Sequence, residues 1–102
     1  MTAGAAPPFD PRVTPAADGW AAARLRGVVE AERYVEGVAM RVASTHAALR
    51  AAPDAGAEQT NQALHGETFK VYRREEGWAW GQLDTDDYVG WMALVQLSDR
   101  PR

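Results

Sequence analysis

The chain has 102 residues, a net charge of −3, 46% hydrophobic and 25% charged residues. This is enough for one folded unit that hides about 60 to 70% of its unfolded surface. The charge leaves little basic surface for phosphate contacts and argues against nucleic-acid binding. The lack of cysteine removes disulfides and any thiolate nucleophile.

Residues 1–17 hold four of the six prolines among Ala, Gly and Thr. X-Pro pairs favour extended backbone, so this stretch is expected to be an extended N-terminal arm. It has neither a basic nor an apolar leader region, and nothing in the sequence approaches the ~20 apolar residues of a membrane span. The expected location is cytoplasmic, or the cell envelope if a signal precedes this sequence. Residues 18–37 are expected to form a short helix and a connecting segment. Asp18 is the candidate N-cap, Trp20 to Leu25 the body and Gly27 the stop. Val28 to Val35 fits either a strand or a helical turn. Val38 to Ala43 alternates as a strand.

From Ser44 to Gly66, Ala, Leu and Arg favour helix whereas Pro53 and Gly56 break it. The expectation here is a long irregular loop with a short strand near Gln62 to Leu64. Phe69 and Val71 share one strand face, and Thr68, Lys70 and Tyr72 the other. Glu76-Gly77 makes a turn. In the next strand Trp78, Trp80 and Gln82 alternate with Ala79, Gly81 and Leu83, so one face is bulky and the other small. The small face suits the crowded inside of a small barrel, which leaves both indoles outside it. Asp84 to Asp87 is a polar turn, followed by a strand in which Tyr88, Gly90 and Met92 oppose Val89 and Trp91. Ala93 to Leu97 is expected to form a 3₁₀ turn and a closing strand. Residues 99–102 look like the start of a linker.

The series DPRVTPA, LRGVVEAERYVEG, MRVA, LRAAPDA, LHGETFKVY, GWAWGQL and DDYVGWM resembles the N-terminal bacterial SH3-like domain of NlpC-type peptidoglycan peptidases, over residues 9 to 97. LHGE, GWAWGQ and YVGW are its most specific pieces. The resemblance implies an all-β fold, a small SH3-like barrel over residues 38–98 with a long early loop. It also implies a role as a non-catalytic, substrate-selecting and docking domain of a cysteine endopeptidase. Such enzymes cut the γ-D-glutamyl to diamino acid bond of peptidoglycan peptide fragments, with a C-terminal catalytic domain as partner. No position here can take the catalytic cysteine, so no residue is assigned to catalysis.

By the resemblance, Tyr88 matches a substrate-recognising tyrosine, and Asp86 or Asp87 its companion carboxylate. A carboxylate beside a phenol can hold a free α-ammonium group through charge-assisted hydrogen bonds. The plainer reading of these aspartates is that they serve the turn. Trp80 is a candidate for substrate contact, and Trp78 and Trp80 for interdomain packing, through their large apolar faces. Trp91 reads as core, and Trp20 as an anchor of the helix to the barrel.

His46 and His65, with Glu67 or the aspartates, match no zinc-ligand spacing, so no metal or cofactor is expected. Ser44 and His46 lack a third member and an oxyanion hole. Arg73, Arg74, Glu75 and Glu76 read as a solvated hairpin end. Nothing in the sequence calls for an oligomer. The alternative function is a free-standing SH3-like peptide-interaction module with Trp78, Trp80 and Tyr88 as an aromatic ledge.

Overall fold

The computed structural model describes residues 13–98. Most of the expected N-terminal arm and the expected linker start at 99–102 lie outside the described residues.

Among the described residues ten strands make two sheets. The first contains β1 (Ala16–Ala17), β2 (Trp20–Ala22) and β3 (Arg33–Val35). The second contains β4 (Val38–Val42), β5 (His46–Arg50), β6 (Gln59–Leu64), β7 (Thr68–Glu75), β8 (Trp78–Leu83), β9 (Val89–Ala93) and β10 (Leu97–Ser98). Its order is β10-β4-β7-β8-β9-β5-β6. The seven strands curl until the turn after β6 meets β4, where Val42 donates to the Glu67 carbonyl at 2.9 Å and accepts from the Gly66 amide at 2.8 Å. The result is an all-β, SH3-like barrel.

The expected faces of β8 are the observed ones. Ala79 and Leu83 point into a core with Leu49, Phe69, Val71 and Met92. Trp78 and Trp80 lie on the opposite face. At β7 a bulge makes Tyr72 an extra residue: Val71 pairs with Gly81, and Arg73 with Trp80. Tyr72 and Arg73 therefore both face outward, beside the indoles.

The outer face is covered by a second, smaller core in which Ala22 and Leu25 pack on Tyr72, Trp80 and Trp91. The covering piece is where the expectation of a helix from Asp18 must be corrected. Asp18 (φ 53°) and Gly19 (φ 82°) both adopt left-handed backbone. They form a two-residue hairpin turn in which Ala17 opposes Trp20, the type I′ geometry that Asp-Gly favours. Residues 20–22 are a strand, and helix is confined to one 3₁₀ turn, Ala23–Leu25. Gly27, at φ 87°, does end it. Of the two options for Val28 to Val35, a turn leads into strand β3, which pairs parallel to β2.

Between residues 44 and 66 helix propensity loses, as expected, but the loop is shorter than expected. It occupies residues 51–58 between β5, which the sequence reading missed, and β6, which reaches back to Gln59. Leu94–Gln96 is the expected 3₁₀ turn, and β10 the expected closing strand.

The LHGE turn is built by its own glutamate. Glu67 Oε2 accepts from the Leu64 amide at 2.8 Å while Gly66, at φ 91°, supplies the left-handed corner. Glu67→Ala should lower stability in urea unfolding by about 1 to 2 kcal/mol, and Glu67→Gln, which keeps an acceptor, by less. Equal losses for both would show that the side-chain bond is not what holds the turn.

Candidate functional site

The described residues contain a cleft of about 510 Å³ where the small sheet meets the barrel. Its aromatic lining comes from Trp80 on β8, Trp91 on β9 and Tyr88 just before β9. Its charged lining comes from Asp18 in the β1–β2 turn, Arg50 at the end of β5, Glu58 just before β6 and Arg73 on β7. A volume of this order, with apolar walls and a few polar groups, suits a short peptide.

Local backbone features aim these side chains. A register shift after Leu49 puts Arg50 opposite Gln59 while Leu49 stays opposite Asn61, leaving Thr60 as an extra residue. Arg50 also faces Trp91 across β9, so it stands where three strands meet. Its Nη1 donates to the Ala57 carbonyl at 2.9 Å, which spans the 51–58 loop. Arg73 is committed otherwise. Its guanidinium bonds Glu75 at 2.7 Å and lies 5.0 Å from the Trp20 ring centroid and 5.9 Å from that of Trp91. It is half-buried between the two sheets, unlike the solvated hairpin end expected for the run.

Tyr88 is half-buried, packs its ring against the main core and lines the cleft. Its amide donates to Asp86 Oδ1 at 3.1 Å and its carbonyl accepts from the Leu83 amide at 2.9 Å. Asp86 and Asp87 are exposed and are not part of the cleft lining. The other Asp86 oxygen accepts from Asn61 Nδ2 at 2.8 Å. Asp87, at φ 66°, presents its carbonyl to Gln82 Nε2 at 3.0 Å.

Trp80 is 5% exposed, its ring 6.1 Å from that of Tyr72. Trp78 is half-buried and borders a shallow hollow with Pro53, Glu75 and Glu76. Trp91 is 8% exposed and belongs to the second core. Trp20 anchors β2, not a helix, to that same core, with the Arg33 guanidinium 4.9 Å from its ring centroid. His46 is exposed, and His65 edges a different hollow with Glu67 and Asp84. Among the described residues no group of three or more His, Asp or Glu side chains is placed to hold a metal ion.

Of the candidate substrate-binding residues of the sequence, Tyr88 and Trp80 line the cleft, and Asp18, Arg50, Glu58 and Arg73 line it without being such candidates. The bulge that aims Arg73 and the one at Thr60 beside Arg50 carry no glycine, proline or other mark in the sequence. The Asp18-Gly19 pair did carry a hairpin signal.

The fold is a small SH3-like barrel with a mixed-charge aromatic cleft on its flank. Residues 49–97 match the model of the bacterial dipeptidyl-peptidase Sh3 domain, which supports a bacterial SH3 domain over that stretch. The match points to an accessory domain of a peptidase. The match takes in LHGE, GWAWGQ and YVGW, while β1 to β4 precede it. No curated protein and no solved structure matches the chain. Among the described residues no helix is long and apolar enough to cross a membrane.

Proposed function

We propose that this chain is the substrate-selecting and docking domain of a cysteine endopeptidase that cleaves peptidoglycan-derived peptides at the γ-D-glutamyl to diamino acid bond. The observation that carries this reading is that Tyr88 shares its cleft with two carboxylates, Asp18 and Glu58, for which no ion pair is formed among the described residues. An α-ammonium group entering beside Trp80 and Trp91 would gain charge-assisted hydrogen bonds from a carboxylate and a phenolic oxygen, strengthened by the partial exclusion of water.

Asp86, whose two oxygens serve Asn61 and the Tyr88 amide, acts in this reading as a positioning residue. In this reading Glu58 and Asp18, which line the cleft, take the ammonium group in place of Asp86 and Asp87, which do not line it. Trp78, beside Pro53 at the hairpin end, offers its half-buried ring to the catalytic domain. The free-standing module draws less support, because Trp80 is covered by the small sheet and does not form an open ledge with Trp78 and Tyr88.

The reading is tested by titrating the chain with L-Ala-γ-D-Glu-diaminopimelate and with the same peptide acetylated at its amino end, followed by amide chemical shifts. The free amine should bind about tenfold more tightly, the size expected of one hydrogen bond to a charged group. Tyr88→Phe and Glu58→Gln should each shrink that preference. Equal binding of the two peptides by the native chain would sink the selecting role, and a response to a proline-rich peptide alone would favour the interaction module.

A further inference from the structure

The cleft contains opposite charges that do not neutralise each other. Arg73 has its carboxylate in Glu75 and its aromatic neighbours in Trp20 and Trp91. Arg50 is different. It is half-buried, lines the same cleft as Asp18 and Glu58, and forms an ion pair with neither. Among the described residues its guanidinium makes one hydrogen bond, to the Ala57 carbonyl, which uses one of five N–H donors. That bond and the junction of β5, β6 and β9 hold the guanidinium in place.

A partly desolvated guanidinium gains from an acceptor that matches its planar fork, and a carboxylate does so with two parallel bonds. With Glu58 and Asp18 in no ion pair among the described residues of the same cleft, the arrangement is complementary to a zwitterion whose charges are too far apart to cancel. We infer that Arg50 is a carboxylate subsite, and that the cleft reads a short peptide by a free amino end and by a free carboxylate on the adjoining residue. The inference rests on the amino-end reading proposed above and adds a second determinant to it.

The chemistry identifies which peptides qualify. In an ordinary α-linked peptide the α-carboxyl of the second residue is consumed by the chain. In a γ-linked glutamate it stays free, roughly 4 to 7 Å beyond the amino terminus on the reach of one to two residues. Conversion of that carboxylate to its primary amide keeps the shape and removes the charge. The amide presents only one oxygen and also offers N–H donors that a guanidinium cannot accept. Arg50 therefore distinguishes γ-linked glutamate from γ-linked isoglutamine.

The test titrates the chain with L-Ala-γ-D-Glu-diaminopimelate and with its isoglutamine counterpart, using native protein, Arg50→Gln, Arg50→Lys and Tyr88→Phe, each checked for a dispersed amide spectrum. The native chain should favour the acid by about tenfold or more. Arg50→Gln should bring the acid down to the level of the amide. Arg50→Lys, which keeps charge and stem but loses the fork, should hold an intermediate ratio. Tyr88→Phe should weaken both peptides and preserve their ratio. Equal native affinity for acid and amide, or an unchanged ratio in both Arg50 variants, overturns the subsite while leaving the amino-end reading intact. Failure of the native chain to bind either peptide overturns both.

Discussion

Gly81→Ala should unfold the barrel or come close to it. A Cβ at residue 81 would stand 2.1 Å from the Lys70 carbonyl oxygen, 2.9 Å from its carbon and 3.0 Å from a ring carbon of Phe69. The obstruction is backbone in the middle of the β7–β8 ladder, so relief needs the strands to part and not merely a rotamer change. Gly81 also pairs with Gly90 across β8 and β9, and a Cβ at residue 90 would meet Leu49 Cγ at 2.7 Å and the Arg50 carbonyl at 3.0 Å. The two glycines together let β5 and β7 close over the paired strands.

Overpacking of this kind costs typically 1 to 3 kcal/mol where side chains can shift, so about 3 kcal/mol is the low end against a fixed carbonyl. For a domain of this size that means a fall in Tm of at least about 12 °C. Gly90→Ala should cost less, because its closest approaches are longer, 2.7 Å to Leu49 Cγ and 3.0 Å to a carbonyl oxygen against 2.1 Å at residue 81. Gly56→Ala is the control. Its backbone is not left-handed and its nearest neighbour is Asp54 Oδ1 at 3.7 Å, so its Tm should stay level or rise slightly. Native-like melting of Gly81→Ala would mean that β7 does not approach β8 as closely as described.

This close approach explains how much of the barrel could be read from sequence. The alternation Trp78-Ala79-Trp80-Gly81-Gln82-Leu83 records a strand with a crowded inside, and it fixed the inward face, the turns at both ends and the outward indoles. Ala93 to Leu97 likewise showed its 3₁₀ turn through a short apolar run with no period to extend it. Residues 44–66 were harder, since Ala47, Leu49 and Ala63 are buried strand positions that local propensity assigns to helix. What makes them strand is their pairing across an eight-residue loop, a long-range gain that no local window contains.

The small sheet was misread for a different reason. Three consecutive alanines after Trp20 favour helix, and Asp18 is a good N-cap, yet Asp18-Gly19 is also the strongest two-residue hairpin signal. The deciding term is tertiary. As a strand, residues 20–22 place Ala21 and Ala22 at 0% and 1% exposure, with Ala22 against Tyr72, Trp80 and Trp91. The cleft suffered from the same blindness. Arg73 reaches it because an extra residue at Tyr72 shifts the phase of its strand by one, and a shift of one reverses a side chain's face. Arg50 keeps the outward face that alternation from buried Leu49 gives it, and the extra residue at Thr60 resets β6 beside it.

Gln82 joins the two sheets, and its replacement by leucine should release the smaller one. The side chain is 8% exposed and fully used. Nε2 donates to the Val13 carbonyl at 3.1 Å and to the Asp87 carbonyl at 3.0 Å, while Oε1 accepts from Arg24 Nη2 at 3.0 Å. One amide thus ties β8 to the segment before β1, to the 3₁₀ turn and to the turn that precedes Tyr88. Leucine has similar bulk and no polar atoms, so two partly buried carbonyls and a guanidinium lose this partner. At about 1 to 3 kcal/mol for buried groups left unpaired, the expected loss is about 2 to 3 kcal/mol. Arg24→Met, which removes only the bond from an exposed side chain, should cost about 1 kcal/mol or less.

The location of the damage is the sharper readout. Because Ala16, Ala17 and Asp18 wall the cleft, Gln82→Leu should raise amide exchange at Trp20 to Ala22, speed trypsin cleavage after Arg24 and Arg26, and weaken peptide binding without altering a residue that lines the cleft. Protection in β7 to β9 should persist under conditions where the barrel stays folded. If exchange instead rose evenly through both sheets, the small sheet would be an integral part of the barrel's folding unit and not a separately hinged wall held by Gln82.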